Sequence, residues 1–231
     1  MNEVATESAE STAREAQEAE LVSVRIKELR ESPIQGKFDA DHLKSVHAWL
    51  FQDFPEHLPG IIRNDTTERW TKQRVLEGRS RAYEVHYAHD AIEARISRIL
   101  KAFGGARALK GKRLDAAAGL LAGLYGDLDH AHGFHEGNSR TLREFIRELS
   151  AAAGYRLDWI GTGIGAEERN QLYTARDILV LERAFPGLTP ERAMQTDDRA
   201  EYEAEFTLTG LRRAMGGSSL QAIIRGGLSK L

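Results

Sequence analysis

Apolar residues along the chain recur mainly every three or four positions, which is the spacing of helices with one buried face. The clearest such helix starts at a capping residue, Asp39 or Asp41, and runs to about Phe54. Residues 113–130 are apolar nearly all round, which predicts a central helix. Further helices are predicted at residues 90–101, 141–153, 166–186, 190–204 and 207–215.

One segment alternates between apolar and polar residues, as a strand does. Tyr83, Val85 and Tyr87 alternate with polar side chains, and residues 74–76 can pair with them across a turn at Gly78. A two-stranded hairpin is marginal unless it rests on a larger body. The predicted fold class is therefore all-α, a helical bundle around a central helix-loop-helix with one small β-hairpin.

The two ends of the chain are predicted to be accessory to a core. Residues 1–20 favour a helix but carry no apolar stripe, so we expect a helix there only where it docks on the rest of the protein. We divide the chain into an acidic helical arm at 1–34, a core at 35–190 and a C-terminal helical extension at 191–231 that packs on the core.

Composition limits the classes of function. The formal net charge of the 231 residues is -3, so we expect no direct binding to nucleic acid and no attraction to an anionic membrane. The absence of cysteine excludes disulfides and thiolate metal sites. No apolar run approaches the roughly 18–20 residues that span a bilayer, and the start lacks the apolar core of a secretory signal. We therefore expect a cytoplasmic protein.

The candidate chemistry lies in the loop His132–Ser139 between two predicted helices. The first turn of the second helix offers free N–H groups and a partial positive charge, and Gly137 lets the backbone approach a ligand closely. Such a loop can bind an anion. Arg140 and Arg143 share one helix face beside it, and this combination suits a polyphosphate. Thr141 with Glu144 also matches a capping box.

Two further residues of the loop suit phosphoryl or nucleotidyl transfer. Glu136 beside bound phosphates makes sense if it holds Mg²⁺, which prefers carboxylate, water and phosphate oxygens. His132 can accept a proton near neutral pH, because the unperturbed pKa of histidine is about 6.5. In this chemistry the protein mainly positions groups and neutralises charge.

The twelve residues His132–Arg143, HGFHEGNSRTLR, resemble the Fic-domain signature H-x-F-x-(D/E)-G-N-x-R-x-x-R and fill each of its invariant positions. Two softer positions differ: Gly133 stands where the family usually has Pro, and Ser139 where it usually has Gly or Lys. The similarity extends over about residues 35–190, through the segment 42–53 and through 153–155 with Trp159 and Asn170.

The resemblance implies a protein adenylyltransferase that moves AMP from ATP to a Tyr, Ser or Thr hydroxyl of a target protein, with ATP and Mg²⁺ as cofactors. It implies that His132 is the general base and that Glu136 binds the metal. The implied catalytic residues are His132, Glu136, Asn138 and Arg140. The implied nucleotide-binding residues are Phe134, Gly137, Asn138, Ser139, Arg140 and Arg143.

The resemblance also implies partners and a location. The family's hairpin flap binds the target chain by strand addition, and we place it near residues 74–87. Many relatives are inhibited by a helix with the pattern (S/T)-x-x-x-E-(G/N), whose Glu pairs with the second motif arginine, here Arg143. Neither Thr6–Ser11 nor Ser11–Ala16 completes this pattern. We therefore hypothesise a separate small antitoxin that blocks Arg143. The toxin and effector character of the family adds secretion into a host cell as an alternative location.

Three functional classes stay open on the sequence: an AMP-transferase of bacterial toxin or effector type, a relative that moves UMP or phosphocholine or removes AMP, and an inactive binding module. Some residues have structural explanations as well. A metal cluster of His130, His132 and His135 is disfavoured by their spacing. We expect Arg147 to form surface ion pairs with Glu144 and Glu148. We expect His42 and His47 to pack in the interior, and His86 and His89 to face solvent.

Overall fold

Helices make up most of the part of the chain that the structure describes. The computed structural model describes residues 2–76, 82–159 and 166–231, without the side chains of 2–12 and 166. The helices are α1 (Asn2–Glu31), α2 (Ala40–Leu50), α3 (Ile92–Phe103), α4 (Leu114–Ala131), α5 (Asn138–Ala152), α6 (Ala166–Ala184), α7 (Pro190–Gln195), α8 (Arg199–Met215) and α9 (Leu220–Gly227). The strands are β1 (Trp70–Val75), β2 (Ala82–Tyr87), β3 (Tyr155–Leu157) and β4 (Leu228–Lys230). The all-α class with a small hairpin is confirmed.

The predicted central helix is α4, which packs against α3, α5, α6 and α9. Its side chains are buried on several sides, including Ala117, Leu121, Tyr125 and Leu128. This all-round burial explains why the segment carries so few polar residues. The end of α4 is therefore fixed in the interior, and the loop that follows it starts from a rigid position.

Two helix boundaries differ from the prediction, each for a local reason. Helix α2 is capped by Asp39, whose side chain accepts from the N–H of His42, but it ends at Leu50 because a short 3-10 turn begins at Pro55. Helix α5 begins at Asn138, three residues before Thr141, because Gly137 adopts a left-handed conformation there. The predicted capping box is wrong, since Thr141 is buried inside the helix.

The hairpin forms where the alternating pattern predicted it. Strands β1 and β2 are antiparallel, with Trp70 opposite Tyr87 and Val75 opposite Ala82. Strand β1 starts at Trp70, four residues before the predicted segment, and the predicted turn at Gly78 lies outside the described residues. Strand β2 rests on α4, α6 and α8, with Val85 and Tyr87 buried against this body. The helical body supplies the support that an isolated hairpin lacks.

The N-terminal segment is a single helix that docks on α2. Val22 and Leu29 are buried, Arg25 forms an ion pair with Asp53 at 2.7 Å, and the ring N–H of Trp49 donates to the carbonyl of Arg25. Helix α1 ends at Glu31, before the Ser-Pro step that predicted its end. The N-terminal helix therefore has the docking surface that its sequence requires, and α2 supplies it.

The C-terminal segment differs more from the prediction. Helix α8 is one continuous helix rather than parts of two, because Asp198 caps it by accepting from the N–H of Ala200. Helix α9 packs on α4, and β4 pairs antiparallel with β3, with Tyr155 opposite Lys230. The sequence did not predict this second small sheet. The division of the chain into three regions stays a prediction.

No described helix combines the length and the apolar character that crossing a bilayer requires.

Candidate active site

The loop between α4 and α5 is held in a strained, fixed conformation. His132 ends α4 with φ +47°, and its N–H donates to the carbonyls of Leu128 and Asp129. Gly137 precedes α5 with φ +76°, and a Cβ there would lie 2.2 Å from the ring of Phe51. Gly137 is therefore required both for its backbone conformation and for the close approach of the loop to α2.

Asn138 closes the loop on itself. Its side-chain oxygen accepts from the N–H of Phe134 at 2.9 Å, and its side-chain nitrogen donates to the carbonyl of Phe134 at 2.6 Å. The ring of Phe134 is 2% exposed and stacks on His47 at 3.8 Å. Phe134 therefore supports the loop from behind, and the nucleotide-binding role implied for it stays a prediction. Asn138 sets the shape of the loop, and the catalytic part implied for it stays a prediction.

His132 lies inside the site with its imidazole unpaired. The residue is 5% exposed, and neither ring nitrogen has a hydrogen-bond partner among the described residues. The ring packs on Tyr87 of the hairpin, with 4.0 Å between the ring centroids. Burial, together with the cations Lys72 and Arg63, holds the pKa of His132 well below its usual value. The neutral imidazole therefore has a lone pair available to accept a proton.

Arg63 fixes the backbone beside His132, and the sequence analysis missed it. The Arg63 guanidinium donates to the carbonyls of His132 at 2.6 Å and Ala88 at 2.5 Å, and its backbone N–H donates to the carbonyl of Gly133 at 2.8 Å. Burial lowers the pKa of Arg63 to about 10. Arg63 lies in an irregular segment, so periodicity gave no signal for this role.

Two guanidinium groups meet at Ser139, one of the two residues that depart from the resembled signature. Arg143 and Arg176 both donate to the Ser139 hydroxyl oxygen, at 2.8 and 2.9 Å. Within the described residues Arg143 has no carboxylate in ion-pair distance, and burial lowers the pKa of this guanidinium. A buried cation without a counter-charge attracts an anion, which fits the phosphate-binding role predicted for Arg143.

Arg176 was also missed by the sequence analysis. It reaches from α6 to Asp129 at the end of α4 and donates to both carboxylate oxygens at 3.0 Å, with both residues buried. This bidentate pair neutralises Arg176 and orients its remaining N–H group towards Ser139. Its one signal in the sequence was a charged pair, Arg176-Asp177, inside an otherwise apolar helical stretch.

Arg140, the first arginine of the motif, contacts the N-terminal helix. Its guanidinium donates to the carboxylate of Glu18 at 2.5 Å and lies 4.8 Å over the ring of Phe51. His57 bonds the other oxygen of Glu18 at 2.9 Å. Burial raises the pKa of Glu18, but the hydrogen bonds from His57 and Arg140 outweigh this and leave the pKa lowered. The sequence missed Glu18, because it lies outside the inhibitory pattern.

Glu136 points outward on the other side of the loop. Its side chain is 55% exposed, its carboxylate lies 3.3 Å from Nζ of Lys72, and its carbonyl accepts from His47. No group of three or more His, Asp or Glu in the described parts of the chain could hold a metal ion. One accessible carboxylate fits Mg²⁺ that takes its other ligands from phosphates and water.

The structural explanations for the remaining residues are confirmed with two exceptions. Arg147 pairs with Glu144 at 2.7 Å as expected, but the pair is not on the surface, because Glu144 is buried. His42 and His47 are buried, as expected. His86, expected to face solvent, is 5% exposed and packs against Phe185, because helices cover that face of the hairpin. His89 is half-buried.

Comparison with known proteins identifies similar sequences. A family model described as the Fic/DOC family matches residues 37–149. Protein adenylyltransferase VbhT of Bartonella schoenbuchensis is 36% identical over 146 residues, which are 62% of this chain and 27% of that protein. A protein adenylyltransferase of Bartonella henselae is 26% identical over 137 residues, 57% of this chain and 24% of that protein. The chain thus spans about a quarter of the length of these curated relatives.

Solved structures share the fold at lower identity. The VirB-translocated effector protein BepC of Bartonella tribocorum, with bound AMPPNP, is 21% identical with a TM-score of 0.60, over 94% of this chain and 86% of that one. The N-terminal Fic domain of a Bartonella quintana effector, with bound ADP, is 20% identical with a TM-score of 0.56, over 93% and 84%. These likenesses support the helical fold described above.

Proposed function

Since the chain belongs to the Fic/DOC family through residues 37–149, we propose that it transfers AMP from ATP to a hydroxyl group of a target protein. The observation that carries the proposal is the buried imidazole of His132, unpaired among the described residues, in one motif with Arg143, whose guanidinium has no carboxylate in ion-pair distance among those residues. A base and an anion site in one loop are the two requirements of nucleotidyl transfer. The names of the two curated relatives support the same activity.

His132 acts as the general base in this proposal. A neutral ring nitrogen takes the proton of the target hydroxyl, and the oxygen attacks the α-phosphorus of ATP. The bond from this phosphorus to the oxygen bridging the α- and β-phosphates breaks, and pyrophosphate leaves. Arg63 holds the His132 backbone, and Tyr87 holds the ring, so the imidazole keeps its orientation without a carboxylate behind it.

The phosphates bind along the start of α5. Arg143 supplies an uncompensated positive charge, Ser139 holds it beside Arg176, and the free N–H groups of the first turn of α5 add partial positive charge. Arg140 donates to Glu18, so a phosphate that binds this guanidinium competes with the carboxylate. Mg²⁺ bound at Glu136 would supply charge neutralisation on the phosphate oxygens.

The target chain adds to the hairpin. Within the described residues β1 pairs with β2 alone, so its other edge has unpaired backbone groups. A target segment that adds there forms main-chain hydrogen bonds and brings a hydroxyl side chain towards His132, which packs on β2. We also propose translocation of this chain as an effector, since the BepC protein of similar fold is described as a VirB-translocated effector.

Incubation of the purified chain with α-labelled ATP, Mg²⁺ and cell lysate tests the proposal. We expect label on lysate proteins, and loss of that label with His132→Ala. His135→Ala is the matched control, because His135 lies in the same loop, half-buried, without a part in the proposed chemistry. Label from UTP or CTP instead of ATP would assign the chain to another group transfer. No transfer from any nucleotide would leave the binding-module alternative and reject the proposal.

A further inference from the structure

A cavity lies behind the hairpin, away from the loop of the active site. It has a volume of about 680 Å³ and lies between the hairpin, α6 and α8. Its lining includes Gln73, Glu84, Glu167, Tyr202 and Glu203. We call this cavity the acidic groove. None of its residues belongs to the motif loop.

The hairpin separates the acidic groove from the active site. Gln73 and Glu84 are opposite each other in the strand register, so their side chains share one face, and both line the groove. Lys72 and Val85 are the next pair and therefore lie on the other face. Lys72 reaches Glu136 of the active-site loop from that face. Gln73 and Glu84 therefore lie on the face towards the groove and Lys72 on the face towards the site, while Tyr83, on the face of Val85, also lines the groove.

The lining that the structure describes is biased towards negative charge. Three carboxylates line the groove, from Glu84, Glu167 and Glu203, and none of the described lining residues is Lys or Arg. Glu203 pairs with Arg199, which is largely exposed to solvent, and Glu167 is in ion-pair distance of no described cation. Glu84 lies 3.5 Å from a ring nitrogen of His86, which also lines the groove and whose pKa is lowered chiefly by burial. Carboxylates gathered in a concave surface attract a cation from the partner. The exposed ring of Tyr202 adds an apolar and aromatic wall.

A target strand on β1 would place side chains on both faces of the hairpin. Successive residues of a strand point to opposite faces, so the residues immediately before and after the modified one point to the groove side when the hydroxyl points to His132. In strand-addition complexes the main chain supplies affinity, and pockets for alternate side chains supply specificity. The groove is placed to act as such a pocket.

We propose that the acidic groove binds a Lys or Arg side chain that flanks the modified hydroxyl residue of the target. This inference rests on the proposed transfer activity. A basic side chain is long enough to pack its methylene groups on Tyr202 while its charge meets the carboxylates. The groove then selects target segments by charge and the active-site loop modifies them.

Paired peptides test the proposal. Two 13-residue tyrosine peptides that differ only in carrying Lys or Glu on both sides of the tyrosine are compared by label transfer from α-labelled ATP and by fluorescence polarisation. Because the carboxylates are partly solvated, we expect the Lys peptide to bind about fivefold to tenfold more tightly and to differ in KM rather than in kcat. The double variant Glu84→Lys and Glu203→Lys is expected to reverse the order.

The control variant is Glu168→Lys, which adds the same charge to an exposed position of α6 outside the groove. It is expected to keep the wild-type preference. Glu84→Gln with Glu203→Gln removes charge without adding any and is expected to bring the two peptides to equal affinity even if the lysine variants fold poorly.

Equal polarisation curves for both peptides on the wild-type chain would overturn the proposal. So would a preference that survives the glutamine variants. A concentration-dependent dimer that these variants abolish, with no peptide preference, would assign the groove to a second copy and also overturn it. Absence of label on every substrate would reject the transferase activity instead, while polarisation still decides the groove.

Discussion

Arg140, in the first turn of α5, donates a hydrogen bond of 2.5 Å to Glu18 near the middle of α1. The contact joins the N-terminal helix to a residue predicted to hold the outer phosphates of ATP. The hypothesis of a separate antitoxin rested on the absence of an inhibitory sequence pattern. Glu18 is preceded by Arg14 at the fourth position before it and is followed by Ala19, so it lies outside that pattern while still reaching the motif.

The first prediction concerns release of this contact. Glu18→Gln should lower the KM for ATP about threefold, because Arg140 no longer has to exchange a carboxylate for a phosphate, and partly exposed ion pairs are worth only about 1 kcal/mol. The measurement is label transfer at varied ATP concentration. Glu20→Gln, on the same helix and exposed, should leave the KM unchanged. An unchanged KM in the Glu18 variant would contradict the competition and favour inhibition from outside the chain.

The second prediction concerns pH. The pKa of His132 is held well below the usual 6.5, chiefly by burial, so the neutral base persists as the pH falls through 6.5. We expect log kcat/KM to stay level between about pH 8 and 6.5 and to fall only at lower pH. A fall of log kcat/KM centred at or above pH 6.5 would contradict this prediction. It would show that the His132 imidazole gains a proton as easily as a solvated imidazole does.

The third prediction concerns the anchor of the hairpin. Arg74 of β1 donates to Asp177 at 2.8 Å, and the Tyr83 hydroxyl of β2 donates to the same carboxylate at 2.7 Å, so one buried carboxylate of α6 holds both strands. Asp177→Asn should lower the free energy of unfolding by about 2 kcal/mol. This is less than the loss from breaking a fully buried ion pair, because Arg74 is partly exposed. It should also raise the KM for the target protein more than the KM for ATP.

Chemical denaturation and initial-rate measurements check this third prediction. Asp197→Asn, at an exposed position, is the matched control and should change neither quantity. If the Asp177 variant raised both KM values equally, the anchor would act on the whole site and the assignment to the hairpin would be wrong.

The fourth prediction concerns Ser139. Ser139→Ala removes the oxygen that Arg143 and Arg176 share, at a cost of about 1 kcal/mol for a lost hydrogen bond of this kind. We expect the KM for ATP to rise about fivefold with little change in stability, since Ala is compatible with the first turn of a helix. Thermal unfolding and the ratio of transfer from ATP, UTP and CTP are measured together. A KM equal to that of the wild type would exclude a positioning role for the hydroxyl.

The sequence predicted those features that depend on neighbouring residues. The spacing of apolar residues placed α4 and the body of α2, and alternation placed β2, because each of these patterns reports which face of one element is buried. The motif placed His132 and Glu136 in one loop. Local patterns could not place the start of α5, where the left-handed Gly137 overrides the capping box at Thr141.

Features that join distant parts of the chain were not accessible from the sequence. Arg63, Arg176 and Glu18 each act on the loop from another element, and each is an ordinary polar residue within its own segment. The burial of His86 depends on Phe185, which follows α6 directly and lies about a hundred residues away in the sequence. A single sequence contains no signal for such pairs.

Arg176 and Asp177 are consecutive on α6, yet one reaches the Ser139 and Arg143 group and the other reaches the hairpin. A helix is stiff over two residues, so a displacement of α6 carries both contacts with it. In the proposed complex, with the nucleotide on α5 and the target chain on β1, the single helix α6 contacts both binding elements. Thermal motion of α6 would then move the bound nucleotide and the bound target together and preserve their alignment.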